Sequence, residues 1–302
     1  MKPVYHKPVL LTPSVEGLIT DPEGVYIDAT FGGGGHSTAI LKRLNANGRL
    51  LAFDQDEDSI KNNLIEDKRF QLFHQNFRHI ENILKFYQIN GLSGILADLG
   101  VSWHQFDTAE RGFSIRLDHR LDMRMNRHTG QSAEQIINQY PEKTLSEIFS
   151  TYGELKGTKK IVKKIVEKRA KKPIKTTFDL INLFDSDIPC RKKSKFLAKL
   201  FQALRIEVND EITVLKNFLN QAPTLLKPGG RIAIISYHSL EDRLVKRFFR
   251  TGSFEGQTEE DIFGNKKKKL QPTHSKAIQP DEKEIEKNSR ARSARLRIAE
   301  KI

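Results

Sequence analysis

Cysteine is almost absent from the sequence. Cys190 is the single cysteine among 302 residues, so a disulfide framework and a cysteine-rich zinc site are both excluded. The nine histidines are scattered along the chain without the paired spacing of metal ligands. We therefore expect a protein that needs neither a metal nor a disulfide bond.

Long hydrophobic runs are also missing. No stretch of the chain approaches the about 18 uncharged apolar residues of a membrane-spanning helix. The segment Met1–Leu11 lacks the apolar core and the cleavage site of a secretory signal peptide. These absences favour a cytoplasmic protein without a membrane partner.

Acidic residues are too few to balance the basic ones. Lysine and arginine total 51 against 38 aspartates and glutamates, which gives a formal net charge of +13. Such an excess favours a polyanionic partner, with a nucleic acid and an anionic membrane surface as rivals. The length of 302 residues allows one large domain or two, with a substantial core.

A cluster of glycines stands between an apolar run and a helical pattern. The run Val25–Ile27 ends at Asp28, four glycines follow at Gly32–Gly35, and Ser37–Leu44 has the spacing of a helix. This order of strand, glycine-rich turn and helix is typical of sites for nucleotide-containing cofactors. Glycine lets the backbone approach a ligand closely and permits the positive φ values of such turns.

Two aspartates and a serine indicate which cofactor the turn would hold. Asp28 ends the first strand, and Asp54 ends the next apolar run, Arg49–Phe53, where a carboxylate can accept from both ribose hydroxyls. Ser37 occupies the third glycine position of a dinucleotide site. The pattern favours the S-adenosylmethionine (AdoMet) site of class I methyltransferases over a glycine-rich turn between two solvated aspartates.

Apolar runs and helical patterns continue to alternate. The predicted strands Phe70–His74 and Gly94–Asp98 are separated by the helical pattern Phe77–Tyr87, which predicts a parallel, doubly wound sheet. Asp98 would then lie at the same edge of the sheet as the two earlier aspartates. Phe77, just past the third strand, could lie near an adenine ring or be an ordinary core aromatic.

The fifth predicted strand begins later than a single crossover requires. Arg231–Ser236 follows the fourth strand after roughly 130 residues, far more than a βαβ connection needs. The intervening residues carry a polar loop and then the helical patterns Ser132–Gln139, Leu145–Tyr152, Thr158–Ala170, Thr177–Phe184 and Arg191–Val208. We predict a helical substrate-recognition domain at residues 107–209, inserted into a Rossmann-like domain formed by residues 1–106 and 210–302.

Three basic segments are candidates for contact with a polyanion. The pattern Lys159–Arg169 places its apolar residues on one helical stripe and most of its lysines on the other, so the lysine face would either follow phosphates or be solvated. Lys266–Lys269 form a basic run. Asn288–Ile298 alternates arginine with small residues, which predicts a final strand with a cationic face for RNA, or a solvated basic tail.

Several separate stretches resemble one family over nearly the whole chain. That family is RsmH, formerly MraW, whose members are rRNA methyltransferases of the small ribosomal subunit. The matching motifs are His6–Leu10, Asp28–Ser37, Asp98–Ser102, Glu110–Ser114, Leu121–Met125, Ala203–Ile206, Val208–Glu211 and Tyr237–Arg243. So many motifs in a fixed order make the resemblance specific, whereas the glycine cluster alone does not.

The resemblance implies a fold, an activity and a cofactor. It implies a class I methyltransferase with an inserted helical domain, which transfers a methyl group from AdoMet to N4 of a decoding-centre (P-site) cytidine of 16S rRNA. Carried over position by position, it implies AdoMet contacts at Gly34, Gly35, His36, Asp54, Phe77, Asp98 and Gln105.

Two departures from the family pattern fall in the loop nearest the expected methyl donor. Trp103-His104 stands where the family commonly has small residues, and His119-Arg120 where it has a Gly-Pro pair. They bear on the local shape of the loop more than on the reaction.

Asp98, Ser236 and His238 are the candidate catalytic residues. A cytidine N4 amino group is a weak nucleophile because its lone pair is delocalised into the ring, so positioning, hydrogen-bond acceptors and loss of a proton must supply most of the rate. Asp98 or nearby carbonyls, or the Ser236–Ser239 loop, would supply the acceptors. His238 could relay a proton, contact the RNA backbone or stabilise its own loop.

Two other functions stay open on the sequence alone. A non-catalytic ribosome-assembly factor that keeps the AdoMet fold would bind rRNA without turnover. A nucleotide-dependent oxidoreductase is disfavoured by Ser37 and by the additional acidic residue at the strand ends. The sequence leaves the oligomeric state open, a homodimer included.

Overall fold

The structure is a computed structural model that describes residues 8–257 and 268–302. The chain divides into two compact units, which we call the first unit (Met1–Gly100 with Thr213–Ile302) and the second unit (Val101–Ile212). The predicted domain boundaries at residues 107 and 209 lie inside the second unit. Two parts of the sequence motifs, His6-Lys7 and Lys266-Lys267, lie outside the described residues.

The first unit is organised around a mixed β-sheet. Its strands are β1 (Val25–Asp28), β2 (Arg49–Asp54), β3 (Phe70–His74), β4 (Leu92–Asp98), β5 (Leu226–Ser236), β6 (Leu270–Pro272) and β7 (Arg295–Lys301). Within the described residues the sheet order is β3-β2-β1-β4-β5-β7-β6. Strands β1 to β5 are mutually parallel, and β7 pairs antiparallel with both β5 and β6.

The helices alternate with the parallel strands and then form a long series before β5. In chain order they are α1 (Leu11–Leu18), α2 (Gly35–Leu41), α3 (Glu57–Lys61), α4 (Ile80–Phe86), α5 (Trp103–Asp107), α6 (Ala133–Gln139), α7 (Glu142–Thr151), α8 (Thr158–Lys171), α9 (Thr177–Ile181), α10 (Cys190–Asn209), α11 (Glu211–Leu225), α12 (Ser239–Thr251) and α13 (Glu282–Lys287). Helices α5 to α10 belong to the second unit.

Both faces of the sheet are buried, because successive strand residues point to opposite sides. On one face, Ile27, Phe53 and Ile234 join a core that includes Phe218 of α11 and Phe249 of α12. On the other face, a second core combines neighbouring strand residues with apolar residues of α1 and α2, and includes Val15, Leu18, Tyr26, Ile40, Leu50, Leu96, Ala233 and Ile235. This double covering explains why the central strands are apolar throughout.

The second unit is helical and has its own core. Apolar residues from α6, α7, α8 and α10 form that core, including Ile136, Leu145, Phe149, Ile165, Leu200 and Leu204. The long loop before α6 is tied down by polar side chains. Arg111 is buried and donates to the carbonyl oxygens of Arg124 and Met125, while Asn209 of α10 donates to Met123 O and accepts from Met125 N–H.

The predicted α/β class I fold with an inserted helical domain is confirmed. Val101–Ile212 lies between β4 and β5. The final strand predicted at Asn288–Ile298 is only partly right, because Ser289–Ser293 form a 3-10 helix and β7 begins at Arg295. Strand β5 begins at Leu226 rather than at the predicted Arg231, because residues 227–230 bulge out between the pairs Leu92↔Leu226 and Gly94↔Arg231.

The described part of the chain contains no helix that is both long and apolar enough to cross a membrane.

A matched pair of phenylalanines tests the assignment of the sheet core. Phe218 is fully buried, whereas 79% of Phe86 is exposed. We expect Phe218→Ala to lower the free energy of unfolding by about 3–5 kcal/mol, since it leaves a cavity beneath the sheet. Phe86→Ala should change it by less than about 0.5 kcal/mol. Urea unfolding followed by circular dichroism measures both, and equal losses would contradict the described core.

Candidate cofactor and active site

The ends of three parallel strands bring three aspartates to one edge of the sheet. Asp28 ends β1, Asp54 ends β2 and Asp98 ends β4. Strand β1 lies between β2 and β4, with Asp28 in register with Ala52 and Leu96. Ligands of such sheets bind at this carboxyl edge, so the edge is the candidate site in the first unit.

The glycines of the turn that follows β1 meet different constraints. Gly34 has a φ of +73°, and an added Cβ would lie 2.8 Å from the ring of Phe31. Gly35 begins α2, and there a Cβ would collide with the ring of Pro8 at 2.1 Å. At Gly32, where φ is +52°, an added Cβ would meet no atom of the described residues within 4 Å. The turn is thus closed on its protein side and open above Gly32.

Asp54 fixes this turn from the neighbouring strand. Its Oδ2 accepts from Gly32 N–H at 2.8 Å, and its Oδ1 accepts from Asp56 N–H at 2.8 Å. Burial raises the pKa of Asp54 to about 6. Each carboxylate oxygen has two acceptor positions, so the group can still accept hydrogen bonds from a ligand's hydroxyls.

Asp28 is committed to holding the backbone of the site. It is fully buried, and its carboxylate accepts from Ser37 Oγ at 2.6 Å and from Thr30 N–H at 3.1 Å. Burial raises the pKa of Asp28 to about 6. Ser37, at the third glycine position, therefore serves as the hydroxyl donor that keeps the acidic strand end and α2 together.

Asp98 is the acidic group best placed for chemistry. Its backbone N–H donates to Thr30 Oγ1 at 2.7 Å, and its Oδ1 accepts from the hydroxyl of Tyr237 at 2.8 Å. Burial is the main cause that raises the pKa of Asp98 to about 7, and the negative charges of Asp28 and Glu241 add to the increase, while the Tyr237 hydrogen bond opposes it. The side chain is 22% exposed, so Asp98 can meet a ligand.

His36 faces the second oxygen of Asp98. Its Nε2 lies 3.2 Å from Val9 O, which can only accept, so Nε2 carries the proton. Burial lowers the pKa of His36 to about 4, and the ring is neutral at pH 7. The unprotonated Nδ1 lies 3.8 Å from Asp98 Oδ2. When Asp98 is ionised, these two acceptors can share a donor or a cation that lies against both of them.

Tyr237 and Glu241 organise the loop after β5, and sequence analysis assigned neither a role in the site. Glu241 Oε2 accepts from the backbone N–H groups of Tyr237 and His238, at 3.0 Å and 3.4 Å. Burial and the negative charge of Asp98 raise the pKa of Tyr237 well above its usual value, so its hydroxyl stays a donor to Asp98. Tyr237 stood in a family motif, but only the pairing of β5 with β4 reveals its partner.

The other two catalytic candidates are engaged in local structure. His238 precedes α12, its Nδ1 accepts from Glu241 N–H at 3.4 Å, and its Nε2 lies 3.1 Å from Glu241 Oε1. Ser236 is buried, and its hydroxyl donates to Arg295 O of β7 at 3.4 Å. These contacts favour a positioning role for both residues, and their catalytic role stays a prediction.

Two predicted cofactor contacts, Phe77 and Gln105, have packing or capping roles in their own surroundings. Phe77 follows β3 and packs edge-on against Phe218, with 5.1 Å between ring centroids, while remaining partly exposed. Gln105 belongs to the second unit, where its side chain accepts from Ser102 N–H at 2.9 Å and completes the capping box of α5. For both residues, contact with a cofactor stays a prediction.

Comparisons with known proteins identify close relatives. A family model described as the MraW methylase family matches residues 3–302. The chain is 54% identical over 298 residues to the ribosomal RNA small subunit methyltransferase H of Flavobacterium johnsoniae, covering 99% of this chain and 98% of the relative. It is 52% identical over 300 residues to the protein of the same name from Cytophaga hutchinsonii, covering 99% and 100%. A solved rRNA methylase from Streptococcus thermophilus is 14% identical with a TM-score of 0.36, covering 96% of this chain and 92% of that one.

The raised pKa of Asp98 predicts how stability depends on pH. An unfolded aspartate with a pKa near 3.8 is ionised at pH 5, whereas the folded group with a pKa of about 7 still holds its proton. Because the folded state binds the extra proton, this group's contribution to stability is complete below pH 4 and is lost as pH rises through 7. The free energy of unfolding of Asp98→Asn, taken relative to that of wild type, should rise by up to about 1.4 kcal/mol per pH unit between pH 5 and 7.

Asp67→Asn is the matched control. Hydrogen bonds from Arg69 lower the pKa of Asp67 to about 2, so its titration lies below pH 4. The stability difference between this variant and wild type should stay constant from pH 5 to 8 in urea unfolding. A constant difference for Asp98→Asn as well would contradict the raised pKa.

Proposed function

The chain belongs to the MraW methylase family, and on that premise we propose that it methylates 16S rRNA in the small ribosomal subunit. Relatives with about half of their residues identical, aligned over nearly their whole length, carry the name of a small-subunit rRNA methyltransferase. The proposed target is N4 of the decoding-centre cytidine, C1402 in standard rRNA numbering, and the proposed methyl donor is AdoMet. The observation that carries the proposal is the acidic carboxyl edge beside an open glycine turn.

The acidic edge fits AdoMet on its own chemistry. The open space above Gly32 admits a ligand close to the backbone, and Asp54 retains acceptor positions for ribose hydroxyls. Asp98 and the neutral His36 present acceptors to a cationic group. Gly34 and Gly35 would keep the turn in the shape that this binding needs. When bound, AdoMet supplies an electrophilic methyl group on a positively charged sulfur.

Asp98 is the residue we propose to accept a hydrogen bond from the reacting amino group. Tyr237 donates to Oδ1 and so holds the carboxylate in one orientation, which leaves Oδ2 available to other donors. An acceptor within hydrogen-bond distance helps to localise the amine lone pair and can take the proton afterwards. A pKa of about 7 suits a group that must exchange protons near neutrality.

The loop after β5 would position rather than react. Glu241 holds the backbone of Tyr237 and His238, and Ser236 is tied to β7. We propose that this loop keeps Tyr237 aligned with Asp98. His238 would then act on the reaction only by capping α12 and so fixing the loop before it.

The remaining assignments follow from the same proposal. The helical second unit would supply the surface that recognises the RNA around the target base. A substrate in the small ribosomal subunit places the protein in the cytoplasm.

The direct test is methyl transfer from labelled AdoMet to small ribosomal subunits that lack this modification. We expect label in N4-methylcytidine at one site, identified by nucleoside mass spectrometry of the digested rRNA. Asp54→Asn should reduce transfer about 10- to 100-fold at subsaturating AdoMet, as the loss of a charge-assisted hydrogen bond predicts.

Asp67→Asn serves as the control, because this aspartate lies away from the glycine turn and pairs with Arg69. It should transfer methyl groups at the wild-type rate. Tight binding of AdoMet and RNA without transfer, on assembled subunits and on naked rRNA, would instead establish a non-catalytic assembly factor.

The pH dependence of AdoMet affinity tests the place of Asp98 in the site. A cationic ligand binds the ionised carboxylate better, so affinity should rise with pH and level off above about 7. Asp98→Asn should remove the part of this rise near pH 7 and leave the part below it that Asp54 causes, since the pKa of Asp54 is about 6. Tyr237→Phe should move the part near pH 7 to higher pH, because the Tyr237 hydrogen bond lowers the pKa of Asp98. Isothermal titration calorimetry measures all three, and an unchanged profile in Asp98→Asn would contradict the assignment.

A further inference from the structure

A groove separate from the acidic edge lies in the first unit, where α12 packs against the strands β6 and β7. It has a volume of about 540 Å³, within the range of ligand sites in proteins. Phe249 and Ile298 contribute apolar surface, and the remaining lining residues are Lys246, Arg250, Lys268, Gln271, Pro272, His274, Ser275, Lys276 and Arg297.

The lining of this groove is strongly one-sided in charge. Among the residues that the structure describes, the lining includes five lysines and arginines and no aspartate or glutamate. Lys246 and Arg250 lie one helical turn apart on α12, and Lys276 follows β6. All three side chains are exposed, and none has an ion pair or hydrogen bond within the described ranges 8–257 and 268–302. Three unpaired cations therefore converge on one space.

The fourth cation is held in place by a shared carboxylate. Asp242 of α12 accepts from Arg297 Nε at 2.7 Å and Nη2 at 3.2 Å, and also from Arg295 Nη1 at 3.3 Å. One negative charge thus serves two guanidinium groups, and the trio keeps a net positive charge. The buried Asp242 orients Arg297 at the groove, and the wall keeps its positive charge.

We propose that this groove binds the sugar-phosphate backbone of RNA through residues that the acidic edge does not use. Cations along a helix and a neighbouring strand match a chain of phosphates, and they recognise charge rather than sequence. The exposed side chains of Lys246, Arg250 and Lys276 would contact phosphates through charge, so we expect the groove to position the RNA with little preference for its sequence. The inference rests on the proposed function only in taking RNA as the partner.

The test removes the three unpaired cations together, in the variant Lys246→Ala, Arg250→Ala, Lys276→Ala. Binding is measured by fluorescence anisotropy with a labelled decoding-centre RNA and with an unrelated RNA of equal length, over a series of salt concentrations. Three lost phosphate contacts should make the negative slope of log K against log salt shallower by about 2. Binding should weaken about 10- to 100-fold at 0.1 M salt. The loss should be the same for both RNAs.

The matched control removes the same charges elsewhere, in the variant Lys42→Ala, Arg49→Ala, Lys68→Ala. These three side chains are also exposed, and no ion pair joins them to other described residues. Retained RNA affinity and salt slope in the control, with loss in the groove variant, supports the groove. An equal loss in both variants would show a general effect of net charge and overturn the proposal.

Two further measurements separate this inference from its premises. AdoMet binding by the groove variant should match wild type, which shows that the first unit is folded. If wild type transfers no methyl group but the groove variant still loses RNA binding, the proposed function fails and the groove stands. If transfer occurs and the groove variant binds RNA normally, the groove fails alone. Competition by a single nucleotide as strong as that by RNA would identify a small-ligand pocket and also overturn the proposal.

Discussion

The site depends on carboxyl groups at the ends of parallel strands. The fold buries these groups and pairs them with no described lysine or arginine. Within the described residues, Asp28, Asp54 and Asp98 form no ion pair with lysine or arginine, and burial is the largest cause of each raised pKa. Backbone N–H groups and hydroxyls hold them instead. An edge of this kind attracts a cation, because a positive ligand restores the interaction that water supplied in the unfolded chain.

Much of this arrangement follows from sequence pattern, because the ends of buried strands are marked by the change from apolar residues to aspartate. The fold class, the insertion and the three acidic positions could be predicted on that basis. The contact between Tyr237 and Asp98 could not, since it joins residues 139 positions apart across the insertion. Ser236 shows a second limit. Strand β5 is buried on both faces, so periodicity does not tell which side chains reach the carboxyl edge.

Helix α12 connects two regions of opposite charge in the first unit. Its first turn contains Glu241, which holds the loop of Tyr237 at the acidic edge. Its later turns present Lys246 and Arg250 to the basic groove. A cationic ligand and a polyanion would therefore be bound through different parts of one helix, and each region repels the other's ligand. The net charge of +13 does not by itself indicate that acidic and basic side chains form two separate regions.

The strands β6 and β7, which form one side of the groove, are joined to the sheet through β7. In the part of the chain that the structure describes, β6 pairs with β7 alone, and β7 in turn joins β5. An opening that separates β7 from β5 therefore also detaches β6 from the rest of the sheet. Strands β1, β2 and β4 pair without either of them. Strands β6 and β7 can thus leave the sheet together while the hydrogen bonds that join β1, β2 and β4 stay closed.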